Sequence, residues 1–226
     1  MTQPIPSTRR IPVAALLTAL AISLLLSACN VLPRATPLRT FTLPDASLAA
    51  PTQASHYPAD STLSLTLRVD TPNANALLDG VRMLVQPDSE EIQVYGGTRW
   101  KDRAPVLIQN RLISALRQDG RLQAVISSNS PASSNVLLSS TLTGFQSRYN
   151  ANSPDTPPDA VIELDAQLID SGRGRVIATQ RFSVRQAASD ESVEAVVRAF
   201  GNAASQLDQQ VVEWTITQLN HRSVRP

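Results

Sequence analysis

Beyond residue 60 the chain alternates apolar and polar positions, the period that sends successive side chains to opposite faces of a strand. The stretch STLSLTLRVD puts Leu63, Leu65, Leu67 and Val69 on one face and Ser64, Thr66, Arg68 and Asp70 on the other. VRMLVQP continues with Val81, Met83 and Val85 until Pro87 ends it, and EEIQVYGG is a third short strand closed by Gly96 and Gly97. A long strand is predicted over 136–149, with Gly144 as a bulge or a point of close approach. AVIELDAQLID directs Ile162, Leu164, Ala166 and Leu168 inward and Glu163, Asp165 and Gln167 outward. RVIATQRFSVR sets Val176, Ala178, Phe182 and Val184 against Arg175, Thr179, Arg181 and Arg185. Between these two lies SGRG (171–174), whose glycines take positive φ without steric cost, as a hairpin turn demands. The last three strands therefore read as an antiparallel meander covered on one face.

Two stretches with helical spacing supply the cover. Residues 103–120 carry Val106, Ile108, Leu112, Ile113 and Leu116, with Pro105 early and Gly120 as a stop. The last segment opens at Ser189-Asp190-Glu191 and repeats Val193, Val196, Val197, Phe200, Ala204, Leu207, Val211, Trp214 and Leu219, three and four apart. Its flanks are acidic and glutamine-rich, which favours packing on a sheet over lying on a membrane. The predicted fold class is α+β: a largely antiparallel β-sheet with two amphipathic helices packed on one face.

The pattern upstream differs. Arg9 and Arg10 precede an apolar run from Ile11 to Leu26, 16 residues, and small residues Ser27 and Ala28 come just before Cys29. That order is a secretory signal peptide, and the run is short of the ~20 residues that span a bilayer. Leu26-Ser27-Ala28-Cys29 resembles the bacterial lipobox. The resemblance implies cleavage between Ala28 and Cys29, a diacylglycerol on the thiol and an N-acyl chain, such as palmitate, on the new amino group. Cys29 is the single cysteine, so no intramolecular disulfide forms. Asn30 rather than Asp follows it. That residue favours the inner leaflet of the outer membrane, with the domain facing the periplasm, over the periplasmic face of the inner membrane. Pro33, Pro37, Pro44, Pro51 and Pro58 mark an extended tether. The domain plan is a signal peptide over 1–28, a lipidated tether over 29–60 with RTFTL (39–43) as a candidate short strand, one α+β domain over 61–221 and a tail over 222–226.

Composition narrows the chemistry. Without Arg9 and Arg10 the mature chain holds 18 basic and 19 acidic residues, a balance that argues against nucleic acid as a partner. His56 and His221 fall in the tether and near the tail; no HExxH, CxxC, GxSxG or GxxxxGK[ST] spacing occurs. Glu163 and Asp165 share a face at i, i+2, but acid–base work needs a cleft and a raised pKa, and a polar sheet face offers neither. No catalytic residue, metal site or cofactor is therefore assigned, beyond the acyl groups of Cys29. Two loops stand out as contact surfaces. YGGTRWKDRAP holds Tyr95 and Trp100, and NANALLDG holds Leu77 and Leu78. Leu78, Tyr95 and Trp100 are the candidate partner-binding residues, with Trp100 serving equally as a lid over the core.

The order of these features resembles the ABC-type transport auxiliary lipoproteins. After the lipobox, Phe41-Thr42-Leu43 matches a Y-T-L element and Leu78-Asp79 an L-D pair. A strand over 81–85 and a tyrosine-bearing strand over 92–95 follow, then Arg99-Trp100 before Pro105. Gly174-Arg175-Val176 with Arg181-Phe182 matches a late G-x-V…R-F hairpin, and a long helix closes the chain. Phe41 and Ala178 depart from the aromatic residues usual in the family. The resemblance implies a non-enzymatic outer-membrane component working beside an MCE-domain substrate-binding protein, a permease and an ATPase in lipid transport. Some such proteins assemble as homo-oligomeric rings. The alternatives are a scaffold or activator of cell-wall enzymes and a periplasmic hydrolase.

Overall fold

The computed structural model describes residues 37–44, 62–87, 90–150, 153 and 156–223, with side chains to His221. The signal segment 1–28, Cys29 and His56 lie outside the described residues. Among the described residues ten strands and two helices follow in order: β1 Arg39–Phe41, β2 Leu63–Val69, β3 Asn73–Ala74, β4 Leu84–Gln86, β5 Gln93–Val94, β6 Thr98–Trp100, α1 Ala104–Asp119, β7 Leu122–Ser127, β8 Val136–Arg148, β9 Asp159–Asp170, β10 Arg175–Ala187 and α2 Val193–Ser223.

The main sheet has eight strands, and its path runs β10-β9-β8-β2-β7. Alternation produces the antiparallel part as expected. Strands β8, β9 and β10 form the meander, with Leu142 opposite Leu164 and Phe182 opposite Leu164 on the covered face. Gly174, at φ 61°, closes the β9–β10 turn, where Asp170 Oδ1 accepts the Gly172 and Arg173 amides. The register slips between Leu142 and Gly144, so Gly144 sits at a bulge. A Cβ there would lie 3.0–3.1 Å from the Glu163 side chain, which would have to give by a few tenths of an ångström.

The rest of the sheet is parallel except for β5, which pairs antiparallel with β4. Along its other edge β8 takes β2, β3 and β4 in turn, each parallel to it. These three act as one strand broken at Pro72, which has no N–H to give, and at an Asn75 turn whose Oδ1 accepts the Leu77 and Leu78 amides. Strand β7, which period-two reading leaves unassigned, runs parallel to β2 at the sheet's end. Arg68 holds the loop that follows β7 by donating to the carbonyls of Ser127, Ser128 and Ser130, each at 3.1 Å.

Both helices cover one face. Pro105 stands in the first turn of α1, and Gly120 ends it in the left-handed region at φ 79°. Helix α2 is capped by Ser192, whose Oγ accepts the Ala195 amide, one residue past the end of the expected Ser189–Glu191 start. Its 31 residues, about 45 Å of helix, pack against α1, β9 and β10 through Val196, Phe200, Ala203, Ala204, Leu207 and Val211. The small Ala203 and Ala204 let its axis approach the sheet closely.

Two expected patterns shift. Met83, Leu84 and Val85 are all buried, while Val81 is 36% exposed, because β4 lies between β8 and β5 instead of continuing β2's alternation. Val176 is exposed because the β10 register slips between Val176 and Ala178, turning Val176 out of phase with Phe182 and Val184. No helix among the described residues is long and apolar enough to cross a membrane.

Candidate functional site: the N-terminal strap of the folded unit

The compact unit starts at Leu38, well before residue 61. Residues 38–44, expected in the tether, form a strap bound to the domain along its whole length. Strand β1 pairs parallel with β6, which is also unassigned by periodicity: Arg39 opposes Thr98, Thr40 opposes Arg99 and Phe41 opposes Trp100. Arg39 N–H donates to Gly97 O at 2.9 Å and Lys101 N–H to Phe41 O at 2.7 Å. Gly97 needs its positive φ of 68° to turn from Tyr95 into β6. Alternation then fixes the sides. Arg39 and Phe41 turn toward the domain, where the Arg39 guanidinium sits 4.9 Å from the Phe41 ring centroid and pairs with Glu194. That pair and the amide of its own turn hold the Glu194 carboxyl below the usual range, the Arg39 hydrogen bond acting most strongly.

The far end of the strap is held from within. Arg111 lies on the buried stripe of α1 between Ile108 and Leu112. It donates Nε–H and Nη2–H to Asp208 Oδ2 at 2.9 and 2.6 Å, Nη2–H to Ser205 Oγ at 2.9 Å and Nη1–H to Pro44 O at 2.7 Å. One guanidinium thus joins α1, α2 and the strap. Gly201 completes the seat. A Cβ there would stand 2.9 Å from Pro44 Cβ and 3.0 Å from Pro44 O, so the strap crosses α2 where a side chain is missing. The signal that would find this seat is a pair of opposite charges, Arg111 and Asp208, each set among apolar neighbours on its helix.

The residues expected to dock a partner are placed differently. Trp100 is 1% exposed and lies in the core, with ring centroids 5.6 Å from Phe145 and 5.3 Å from Phe200. Leu78, 6% exposed, belongs to the same core because the Asn75 turn folds it inward. Neither offers a contact surface; the lid reading of Trp100 is the one the structure supports. Tyr95 is half-buried against that core, its hydroxyl 2.8 Å from Ser147 Oγ, and burial pushes its phenol above the ordinary value. Alternation cannot distinguish a loop aromatic that caps a core from one that meets a partner, which explains the misreading.

The remaining chemistry is ionic pairing. Asp165 accepts from Arg181 Nε at 2.6 Å and Nη2 at 3.0 Å, and these hydrogen bonds hold its carboxyl below the usual range. A lowered pKa suits a structural carboxylate and opposes a proton donor. Glu163 faces Ser183 across the β9–β10 ladder, and His221 is exposed near the end of α2. Among the described residues no group of three His, Cys, Asp or Glu side chains is placed to hold a metal ion.

An α+β unit of two helices over one face of a mixed sheet, entered through a clamped N-terminal strap, is the architecture these contacts define. The chain belongs to the ABC-type transport auxiliary lipoprotein component family, whose pattern matches residues 47–212. It is similar to protein XCC0632 of Xanthomonas campestris, a DUF330 family member: 28% identity, TM-score 0.70, with 81% of this chain and 98% of that one covered. A second crystal structure, of an uncharacterized protein, shares the fold at TM-score 0.59 and 16% identity, covering 79% of this chain and 99% of the other. Protein bll6063 of Bradyrhizobium diazoefficiens is 25% identical over 159 residues, 70% of this chain. The chain spans 41% of that relative's length.

Proposed function

We propose that this protein is a non-enzymatic, lipid-anchored auxiliary component of an ABC/MCE-type system that moves lipids or other hydrophobic molecules between membranes. In this reading Cys29 carries the acyl chains at the inner leaflet of the outer membrane. The α+β domain docks the periplasmic MCE-domain protein, as a single copy or as a homo-oligomeric ring. Membership of the auxiliary lipoprotein family across the folded unit is the observation that carries the reading. The strap supports it, because a domain that docks a partner under load needs a firm connection between its anchor segment and its core. The Arg111 seat ties residue 44 to both helices at once.

The test is affinity recovery of the full-length protein from detergent-solubilised membranes, with partners identified by mass spectrometry. Recovery of an MCE-domain protein with its permease and ATPase is expected. Recovery of a peptidoglycan synthase in their place would overturn the transport reading and favour a scaffold for cell-wall enzymes.

A further inference from the structure

We infer that the outward face of the β1–β6 ribbon rests on the lipid headgroups of the protein's own membrane, its free cations meeting phosphate and its apolar rim meeting the interface. The inference builds on the reading of Cys29 as the acylated residue. With Arg39 and Phe41 turned to the domain, Leu38 and Thr40 turn outward, and Leu38 is 53% exposed. On β6 the buried Thr98 and Trp100 leave Arg99 and the following Lys101 outward. Val81 flanks them, since Trp100 N–H donates to Val81 O at 2.7 Å, and exposed Arg82 comes next. The face thus gathers Leu38, Val81, Arg82, Arg99 and Lys101.

Its cations are available. Arg99 gives Nε–H to Thr40 Oγ1 at 3.0 Å, which steadies the guanidinium on the ribbon without neutralising it. Among the described residues no carboxylate pairs with Arg82, Arg99 or Lys101. Several other cations are matched: Arg39 with Glu194, Arg103 with Asp79, Arg173 with Asp170 and Arg181 with Asp165. The acids nearest in sequence are Asp79, which pairs with Arg103, and Asp102, which accepts the Arg103 amide. Arg82, Arg99 and Lys101 therefore offer, on the ribbon and beside it, positive charge that no described carboxylate neutralises. Unpaired cations beside exposed aliphatic side chains suit an anionic lipid surface.

Chain length points to the same occupant. Eight residues lie between Cys29 and Leu38, and the nine steps at 3.3–3.6 Å each reach at most about 32 Å. The strap is clamped from Arg39 to Pro44, so it cannot pay out more length while the domain stays folded. An acyl group at Cys29 keeps the Leu38 end of the ribbon near the bilayer.

The experiment uses the full-length acylated protein in vesicles of phosphatidylcholine with 30% phosphatidylglycerol (about that fraction, enough for an anionic surface). A fluorophore is attached through Thr40→Cys or, as a control on outward β10, through Thr179→Cys, and a nitroxide-headgroup lipid is the quencher. Quenching at position 40 is expected to exceed that at 179 at least about twofold, and to fall with added salt. The triple variant Arg82→Glu, Arg99→Glu, Lys101→Glu is expected to remove the difference while the circular dichroism spectrum is unchanged. Equal quenching at both positions in protein that floats with the vesicles and carries acylated Cys29 by mass would overturn the face but leave the anchor standing. Protein that lacks the acyl mass and does not float would overturn the anchor reading and this inference with it.

Discussion

Replacing Arg111 by Met removes four hydrogen bonds and the charge that balances Asp208, a residue only 7% exposed. A buried ion pair is weak evidence of stability when both partners are present, yet removing one partner strands the other, at about 3–5 kcal/mol. Arg111→Met and Asp208→Leu should each fall in that range. In the double variant no buried charge is stranded. Its remaining loss is the donors to Pro44 O and Ser205 Oγ, about 1 kcal/mol each, partly offset by the added apolar packing. The two substitutions should therefore couple by several kcal/mol, with the double variant more stable than either single one. Urea unfolding followed by tryptophan fluorescence measures each value, and equal slopes against urea verify that the same surface is exposed. Trypsin supplies a second readout, because freeing Pro44 O should speed cleavage after Arg39 in Arg111→Met. Singles that each cost under about 1 kcal/mol, or a double variant that costs their sum, would refute the account of this seat.

Other outcomes follow from the same contacts. Trp100→Ala should cost about 3–5 kcal/mol by chemical denaturation, because it empties the space between Phe145 and Phe200. A change under about 1 kcal/mol would return Trp100 to the surface. Gly201→Ala should destabilise by about 1–3 kcal/mol although alanine normally favours a helix interior, since the new methyl meets Pro44 at 2.9 Å. A more stable variant would mean the strap gives way freely. Asp165, Asp190 and Glu194 are held below their ordinary carboxyl range, Asp165 by Arg181, Asp190 chiefly by Ser192 and Glu194 chiefly by Arg39. A depressed native pKa contributes stability that is full above the unfolded value and disappears as pH falls through the native one. Unfolding free energy should hence decline on acidification below about pH 4, and Glu194→Gln should flatten part of that decline.

The long elements were legible because one force shaped each of them. In β9 every second residue from Ile162 to Leu168 is buried, and in α2 the stripe from Val196 to Val211 is continuous. Both follow from covering one side of a sheet. The bulge at Gly144 and the turn at Gly174 were legible too, because crowding at a bulge and a positive φ both favour glycine. The pairing of the short parallel pieces was not. Strand β1 falls within the expected short strand 39–43, but its partner β6 lies 59 positions away, so neither the pairing nor the close of the tether at residue 38 shows locally. Met83-Leu84-Val85 lost its alternation because β4 is buried between β8 and β5. The Arg111–Asp208 pair joins residues 97 apart, beyond any local pattern. Docking surfaces are harder still, since Leu78 and Trp100 have the composition of contact residues and the burial of core.

The central claim is that a folded, clamped domain begins a few residues after an acylated cysteine. The most direct test is the intact mass of the protein extracted from native membranes, with its N-terminal peptide sequenced. A chain that begins at Cys29 and carries a thioether-linked diacylglycerol with an amide-linked fatty acid is predicted. A chain that begins elsewhere, or at Cys29 with a free thiol and amine, would contradict it.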